Sequence, residues 1–543
     1  MSEKSAEELI TTINSNLDSQ NNRSDGLRLL KQIGFIITEE SLIKNFPHWM
    51  NKFTALLKNQ YNPEDLFILS KTLLVLIQRC KKIPELDKKI SMDFVKHWIG
   101  LICPIIQKEE SVEALNVLQV LIFYYPEASL KFKSIYSEFL SKCIDNQDEL
   151  FTNSAAKTYA LLVRASERSS KNSSNSSTYQ LSNPAGQDPH RFHISHQVHL
   201  CKLLCDAFNK LDKATFKHEV EFPGKYEESS SMNLLNLPEL SQQNLNAYYS
   251  GLETRIINLC LFLSELLRAP KNPSVRPGTE PQTILSTLQK GLKITTNDNN
   301  LIDLVNIRCS LLNVLSSLII RFHKKLLCHS SVIHDLILHT LNCSSKCTNK
   351  SSRRLRGAAY DTLSIWIKYT GMLSHFEVAA EHIEKHIFND LEDMTRLKKH
   401  NDEKCPELME KDISFDKSYI PLATKVLQAV HSIILNVNYI LKPITLENIT
   451  KQVLGFSSKK FQLNIKDEEF DKILLQLLCS IENIDHPSRG SLIQEMLPIF
   501  KSICLNNCRL ELKEEAQKCL NQIMTRMYPT SPSLAVKSSC NDA

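Results

Sequence analysis

The most constraining feature of the sequence is a unit of two apolar helical segments that recurs near the N-terminus. Residues 115–140, LNVLQVLIFYYPEASLKFKSIYSEFL, have the pattern of two amphipathic helices that meet at Pro126. A His-Trp pair at positions 48–49 recurs at 97–98, and each pair is followed by an apolar helix that closes on Pro84 or Pro126. A spacing of about 40 to 50 residues with two helices per unit is typical of HEAT and armadillo repeats. The pattern therefore predicts an all-α fold, an irregular α-solenoid of HEAT/armadillo-like helical hairpins.

The composition agrees with stacked helices. The 543 residues include only 12 glycines and 7% aromatics, which disfavours sandwiches, barrels and glycine-looped nucleotide folds. The net charge of +5 is too small for the whole chain to bind polyanions, although local patches remain candidates. No apolar run reaches the roughly 18 to 20 residues that cross a bilayer, and the polar start lacks a signal-peptide pattern. We therefore expect a soluble, intracellular protein with no membrane partner, whose 16 cysteines are reduced and mostly buried.

Stretches that are rich in serine, asparagine or charge and poor in branched apolar side chains divide the chain. Such stretches cannot bury enough apolar surface to become ordered. The sequence predicts N-terminal helical repeats at 1–165, a disordered Ser/Asn-rich loop at 166–192, central helical repeats at 193–342, C-terminal helical repeats at 343–530 with a charged loop near 389–412, and a disordered tail at 531–543.

One group of residues resembles a zinc site. His190, His193, His196 and His199 occur at every third position, and imidazole is a usual zinc donor. Steps of three residues drift around a helix by about 60° each, so these four side chains cannot converge on one ion without a break. A polar loop that runs into a core helix is the favoured interpretation, and a metal-dependent enzyme is the least favoured function. We expect no metal site.

No catalytic motif is present. The sequence lacks a GxxxxGK[ST] phosphate loop, a GxSxG elbow and an HExxH pair, and no GxGxxG follows a strand. Its acidic residues stand at charge-pair spacing with lysines, which is the pattern of a solvated helix surface. We therefore expect a protein that is not an enzyme and has no cofactor.

Two kinds of surface motif are candidate binding sites. LxxLL patterns can anchor a helix in a partner's groove, but in a leucine-rich solenoid the same spacing indicates the buried stripe, which we favour here. Basic clusters are candidate nuclear-import signals or phosphate-contacting patches. The LxxLL candidates are Leu200, Leu203, Leu204, Leu263, Leu266, Leu267, Leu474, Leu477 and Leu478, and the basic residues are Arg396, Lys398, Lys399, Lys350, Arg353, Arg354 and Arg356.

Several segments resemble a known family. They are GLRLLKQI (26–33), KKISMDFVKHWIGLI (88–102), the 115–140 unit, HLCKLLCDAF (199–208) and LRGAAYDTLSIWIKYTG (355–371). Their order and residue patterns are similar to those of the N-terminal helical-repeat region of the proline-, glutamate- and leucine-rich protein family, the animal counterpart of the fungal Rix scaffold of ribosome assembly. The resemblance extends over most of residues 20–530 and rests on apolar spacing.

The resemblance implies a non-catalytic scaffold in the nucleus, in both nucleolus and nucleoplasm. Its expected role is large-subunit maturation and pre-ribosomal RNA spacer processing, with a WD-repeat propeller protein, a second helical-repeat protein and pre-large-subunit particles as partners. A SUMO protease and a second copy of the chain are further candidate partners. The family's long proline- and glutamate-rich tail has no counterpart in this sequence, so contacts assigned to that tail are not expected.

Two alternatives remain open at this point. A cargo or transport adaptor of the HEAT/armadillo class shares the architecture, so fold cannot separate it from an assembly scaffold. A nuclear-receptor coregulator that acts through LxxLL helices is the other alternative, and it requires those leucines to be exposed.

Overall fold

The structure is a computed structural model in which every regular element is helical over the described residues. These residues are 3–58, 62–90, 92–173, 189–211, 234–240, 244–268, 281–294, 304–345, 349–395, 417–462, 467–484, 489–505 and 510–527. No β-strand occurs among them, so the predicted all-α class is confirmed. The chain divides into two compact units, Met1–Leu318 and Ile319–Ala543.

The first unit is built from helical hairpins. Its helices are α1 (Glu3–Asp18), α2 (Arg23–Ile33), α3 (Glu39–Lys58), α4 (Pro63–Cys80), α5 (Pro84–Lys89), α6 (Met92–Glu109), α7 (Val112–Tyr124), α8 (Pro126–Leu130), α9 (Lys133–Cys143), α10 (Glu149–Ser173), α11 (Pro189–Leu211), α12 (Leu245–Arg268), α13 (Pro281–Leu292) and α14 (Leu304–Phe322).

Two layers run through these hairpins. The second helices of successive hairpins pack side by side, α2 on α4, α4 on α7, α7 on α10 and α10 on α12. We call these helices the B layer. The first helices α1, α3 and α6 contact one another in the same order and form the A layer. Each helix buries an apolar stripe between the layers, which is how a solenoid makes a continuous core from units that cannot fold alone.

The His-Trp pairs mark equivalent points of the A layer. The Trp49 indole N–H donates a 2.7 Å hydrogen bond to Oδ1 of Asn14. The Trp98 indole donates a 2.7 Å bond to Oγ1 of Thr54. Each buried tryptophan therefore pairs its only polar atom with the preceding A-layer helix, so that burial leaves no donor unsatisfied.

Side-chain caps and prolines set the helix starts. Asn62 and Ser111 each accept a 3.2 Å hydrogen bond from a first-turn backbone N–H, at the starts of α4 and α7. The apolar helices α4 and α7 end shortly before Pro84 and Pro126, as expected, and these prolines are also the first residues of the short helices α5 and α8. Proline fits the first helical position, since that residue needs no N–H for the helix.

The second unit repeats the two-layer plan. After a 3₁₀ segment at His323–His329 come α15 (Ser330–Ser345), α16 (Lys350–Thr370), α17 (Ala380–Thr395), α18 (Ile420–Val437), α19 (Pro443–Gln462), α20 (Glu468–Glu482), α21 (Arg489–Leu505) and α22 (Leu510–Met527). In one layer α15, α17, α19 and α21 are successive neighbours, and in the other α16, α18, α20 and α22 are.

Two cysteines depart from the expectation that all are reduced. Cys479 on α20 and Cys519 on α22 form a disulfide, while the other cysteines among the described residues are free. The two are 40 residues apart in sequence. That separation is close to one repeat, which brings both thiols to the same level of adjacent helices.

Two apolar stretches differ from the expectation that no segment is long enough to cross a membrane. Leu304–Ser345 and Ile420–Ile440 are long and apolar enough to cross a membrane by length and composition. In each, 56% of the most apolar window is buried inside the protein, as in a core helix. Their apolar side chains are accounted for by packing between the helical layers.

The predicted segment limits remain predictions. Helix α10 continues to Ser173 and α17 to Thr395, so parts of both predicted loops are helical. Residues 174–188, 396–416 and 528–543 lie outside the described residues.

Candidate interaction surfaces

The basic cluster of residues 350–356 lies on the first two turns of α16. The helix begins with Asn349, whose Oδ1 accepts a 2.7 Å hydrogen bond from the Ser352 backbone N–H. Lys350 and Arg354 are exposed, whereas Arg353 is half-buried. The Arg353 guanidinium lies 4.0 Å from the centre of the Tyr419 ring, in a cation–π contact. The structure therefore places three of the four predicted cations at the surface near the start of α16.

Arg356, the fourth predicted cation, is not part of this surface. Its side chain is 2% exposed and forms a 2.8 Å ion pair with Asp390 of α17. It also donates a 2.7 Å hydrogen bond to the Ser344 carbonyl, and the Tyr360 hydroxyl donates to the other Asp390 oxygen at 2.8 Å. Burial raises the pKa of Asp390 to about 6, against the opposing effect of Arg356. Arg356 thus joins α15, α16 and α17 and does not face a partner.

The second basic cluster cannot be placed in the same way. Arg396, Lys398 and Lys399 follow α17 and lie outside the described residues. Their role in nuclear import stays a prediction.

The LxxLL leucines lie in the core of the helical layers. Leu203 is partly buried and all the others are fully buried, on α11, α12 and α20: Leu200, Leu204, Leu263, Leu266, Leu267, Leu474, Leu477 and Leu478. A partner groove could reach these side chains only if the helices unpacked. Among the described residues, the geometry thus gives no exposed LxxLL helix of the kind that a receptor coregulator presents.

The histidine-rich start of α11 is a packing site. His196 is buried, with Nδ1 3.0 Å from the Tyr159 hydroxyl, and burial lowers the pKa of His196 to about 3. His199 Nε2 lies 3.2 Å from the Leu235 carbonyl oxygen, in the irregular segment 234–240. The His190 side chain lies outside the described residues. Over the part of the chain that the structure describes, no three His, Cys, Asp or Glu side chains are grouped to hold a metal.

One exposed surface in the first unit contains none of the predicted motifs. We call it the B face, the solvent-exposed side of α2, α4, α7 and α10 up to residue 166. Large apolar side chains are exposed on it, among them Phe67, Leu74 and Phe123. The signal in the sequence is that, up to residue 166, the acidic residues of these helices occupy only their first turns. Helix register alone could not show which side chains a neighbouring repeat covers.

A second apolar surface lies at the C-terminal ends of α16 and α18. The Ser364 and Ser432 hydroxyls are 2.7 Å apart, so the two helices run side by side with these ends level. Exposed apolar patches of this kind mark contact sites for other proteins. Its exposed large side chains are Met372, Leu373, Leu435 and Tyr439.

Comparison with known families matches one part of the chain. Residues 1–151 match the model of the RIX1 family, which is described as rRNA processing/ribosome biogenesis. The predicted resemblance to the Rix family is therefore confirmed, over the residues that include most of the B face. A search of curated proteins finds no match.

Solved structures with similar helical arrangements include the karyopherin Kap121p and importin beta. Kap121p bound to Ste12p has 11% identity and a TM-score of 0.48, covering 96% of this chain and 46% of that one. Kap121p bound to the SUMO protease Ulp1p has 10% identity and a TM-score of 0.45, covering 96% and 45%. Importin beta has 9% identity and a TM-score of 0.45, covering 95% and 60%. This chain spans about half the length of the Kap121p structures, and similarity at this level supports no inference about function.

Proposed function

We propose that this protein is a non-catalytic scaffold of ribosome biogenesis that acts in the nucleus, in nucleolus and nucleoplasm. Its role in this proposal is to support large-subunit maturation and pre-ribosomal RNA spacer processing. The observation that carries the proposal is the match of residues 1–151 to a family of rRNA processing and ribosome biogenesis. Two-layered helical repeats suit a scaffold, because each added repeat adds exposed surface without a new core.

The mechanism is positioning. A scaffold that holds two partners converts their encounter into an intramolecular event and so raises their effective concentration. We propose a WD-repeat propeller protein and a second helical-repeat protein as the constant partners, and pre-large-subunit particles as the object on which they act. A SUMO protease and a second copy of the chain are additional candidate partners.

The exposed basic residues have a separate proposed role. Lys350 and Arg354 are exposed and Arg353 is half-buried beside Tyr419, at the start of α16. Such a group of cations with an aromatic ring suits phosphates or carboxylates. We propose that they contact RNA or an acidic partner, and that Arg396, Lys398 and Lys399 serve nuclear import.

Affinity purification tests the proposal. The tagged full chain is recovered from nuclear extract, its partners are identified by mass spectrometry, and the recovered RNA is probed for ribosomal precursors that retain the spacer. We expect a WD-repeat protein, a second helical-repeat protein and large-subunit precursors. Recovery of a small GTPase and transport cargo, with no precursor RNA, would replace the scaffold by the transport-adaptor function.

A further inference from the structure

Contacts between neighbouring helices fix the register of the B face. The Thr72 hydroxyl of α4 donates a 3.1 Å hydrogen bond to the Leu27 carbonyl of α2. Farther along, the Arg79 guanidinium donates a 2.7 Å bond to the Gly34 carbonyl and a second bond to that of Ile37. Higher numbers on α4 thus meet higher numbers on α2. The two helices therefore run side by side in the same direction.

The same order continues into α7 and α10. The Lys81 ammonium lies 4.4 Å from the centre of the Tyr125 ring, which brings the ends of α4 and α7 together. The Gln119 amide of α7 donates to the Ser154 carbonyl at 2.9 Å and to the Thr158 hydroxyl at 3.2 Å on α10. The four helices therefore lie side by side and present one continuous surface, with the N-terminal ends of α2, α4 and α7 on one side.

Charge is unevenly distributed over this surface. Up to residue 166, the acidic residues of the four helices lie in their first turns, where a negative charge suits the helix dipole. These residues are Asp25, Glu64, Asp65, Glu113 and Glu149. From the second turn onward, up to residue 166, the helices contain no Asp or Glu. The exposed charges there are cations, Lys31 on α2, Lys71 on α4 and Lys157 on α10, together with Arg28, which pairs with Glu64.

Apolar side chains lie among these lysines. Phe67 is 48% exposed, Leu74 is 37% exposed and Phe123 is 38% exposed. On α4 the Lys71 ammonium lies 5.5 Å from the centre of the Phe67 ring, between the levels of Phe67 and Leu74. Because positions seven apart lie on the same side of a helix, these two apolar groups form one stripe with a cation between them.

This combination favours a protein occupant over a nucleic acid. Phosphate backbones are held by clustered Arg and Lys, and affinity grows with each phosphate neutralised. On the B face Lys31, Lys71 and Lys157 lie on three different helices, and Arg28 is already paired with Glu64. An amphipathic protein segment would cover the apolar groups and bring carboxylates to the lysines, which supplies both buried area and charge complementarity.

We propose that the B face binds an amphipathic acidic segment of a partner protein, with Leu or Phe side chains against Phe67, Leu74 and Phe123, and Asp or Glu side chains toward Lys31, Lys71 and Lys157. The inference rests on the proposed function in one respect, because it takes the partner to be a member of the same assembly. The α2, α4 and α7 parts of the B face fall within residues 1–151, which match the ribosome-biogenesis family, whereas Lys157 of α10 lies beyond the match.

Photo-cross-linking in the full-length tagged chain tests this proposal. Benzoylphenylalanine is placed at position 74, the cells are irradiated, and the cross-linked peptide is sequenced by mass spectrometry. We expect an adduct with a protein segment rich in Asp, Glu, Leu and Phe. Combining Lys71→Glu with Lys157→Glu is expected to lower the adduct yield about tenfold, because attraction becomes repulsion at two contacts.

The matched control reverses two exposed lysines of the A layer. Lys44→Glu with Lys108→Glu makes the same change in net charge on α3 and α6 and is expected to leave the yield unchanged. The proposal is overturned by an RNase-sensitive adduct, by an adduct with a basic or uncharged segment, by no adduct, or by a yield that is insensitive to Lys71→Glu with Lys157→Glu.

Spacer-containing RNA recovered with the same tagged chain separates the two levels of inference. If the RNA is recovered but the expected adduct is not, the B-face proposal fails and the proposed function stands. If the adduct forms as expected without ribosomal precursors, the B-face proposal stands and the proposed function fails.

Discussion

Arg354 and Arg356 stand two positions apart on α16 and have opposite environments. Successive helical residues turn by about 100°, so these two side chains point to nearly opposite sides. Arg354 is exposed, whereas Arg356 is enclosed by α15 and α17 and paired with Asp390. The sequence predicted one basic patch from both residues. It could not separate them, because the choice of buried side depends on which helix packs there, and Asp390 is distant in sequence.

Removing the buried guanidinium should destabilise the protein. Arg356→Ala leaves the Asp390 carboxylate buried without its ion pair, and we expect a loss of about 3–5 kcal/mol in the free energy of unfolding. Urea denaturation followed by circular dichroism measures this loss. Arg354→Ala is the matched control, with an expected change within about 0.5 kcal/mol. Equal effects of the two substitutions would contradict the assignment of Arg356 as a structural residue.

Because of His196, the stability of the first unit should decrease as the pH is lowered. Its folded pKa of about 3 lies below the ordinary 6.5, because burial disfavours the charged form. Below pH 6.5 the unfolded chain therefore binds a proton at His196 that the folded chain does not bind. The free energy of unfolding decreases for this reason as the pH falls from about 6.5 toward 3. The expected slope is about 1.4 kcal/mol per pH unit.

Denaturant midpoints measured between pH 7 and pH 5 test this slope. His196→Gln, which keeps a hydrogen-bonding group near Tyr159 but cannot titrate, should show a smaller decrease on acidification. The same decrease in the variant and the unchanged chain would assign the acid sensitivity to other groups.

At the level of elements, apolar periodicity predicted the helices well but not the short helices between them or the contacts that the helices make. The helices α4 and α7 end shortly before Pro84 and Pro126, as expected, but each proline also begins a short helix, since proline can both follow a helix and occupy a first turn. The packing of the B-layer helices likewise could not be predicted from the repeat period alone. Its register depends on single polar contacts such as Thr72 with the Leu27 carbonyl, which no repeat spacing specifies.

The disulfide between α20 and α22 should stabilise the last described hairpin. It cross-links residues 40 apart in sequence. A cross-link over that separation lowers the conformational entropy of the unfolded chain and so raises the free energy of unfolding by about 2–4 kcal/mol. We expect Cys519→Ser, or reduction of the unchanged chain by dithiothreitol, to increase hydrogen exchange of the α22 amides. Cys504→Ser removes a free, half-buried thiol of α21 and serves as the control. If dithiothreitol also increased exchange in Cys519→Ser, the effect would not come from this bond.

At the level of the whole molecule, the spacing of the two-helix unit and the glycine-poor composition were sufficient to predict a helical-repeat protein. What the sequence could not supply was the selection among its many charges and leucines, since every helix of a solenoid carries both. Burial made that selection for the described residues. It placed the LxxLL leucines in the core, left Lys350 and Arg354 exposed, and presented the B face, whose acidic residues up to residue 166 are confined to the first helical turns.

The two basic surfaces should therefore be separable in the assembled protein. Lys350→Glu with Arg354→Glu changes exposed cations at the start of α16 and is expected to reduce the ribosomal precursor RNA recovered with the tagged chain by about tenfold, with a weaker dependence of recovery on salt. The free energy of unfolding of this variant should stay within about 0.5 kcal/mol of that of the unchanged chain, because neither side chain is buried.

The B-face charge reversal, Lys71→Glu with Lys157→Glu, should lower photo-cross-linking at position 74 and leave the binding of RNA at α16 unchanged. Equal loss of RNA in both variants would mean that the surfaces act as one site, and no loss in the first variant would remove RNA from the partners of α16.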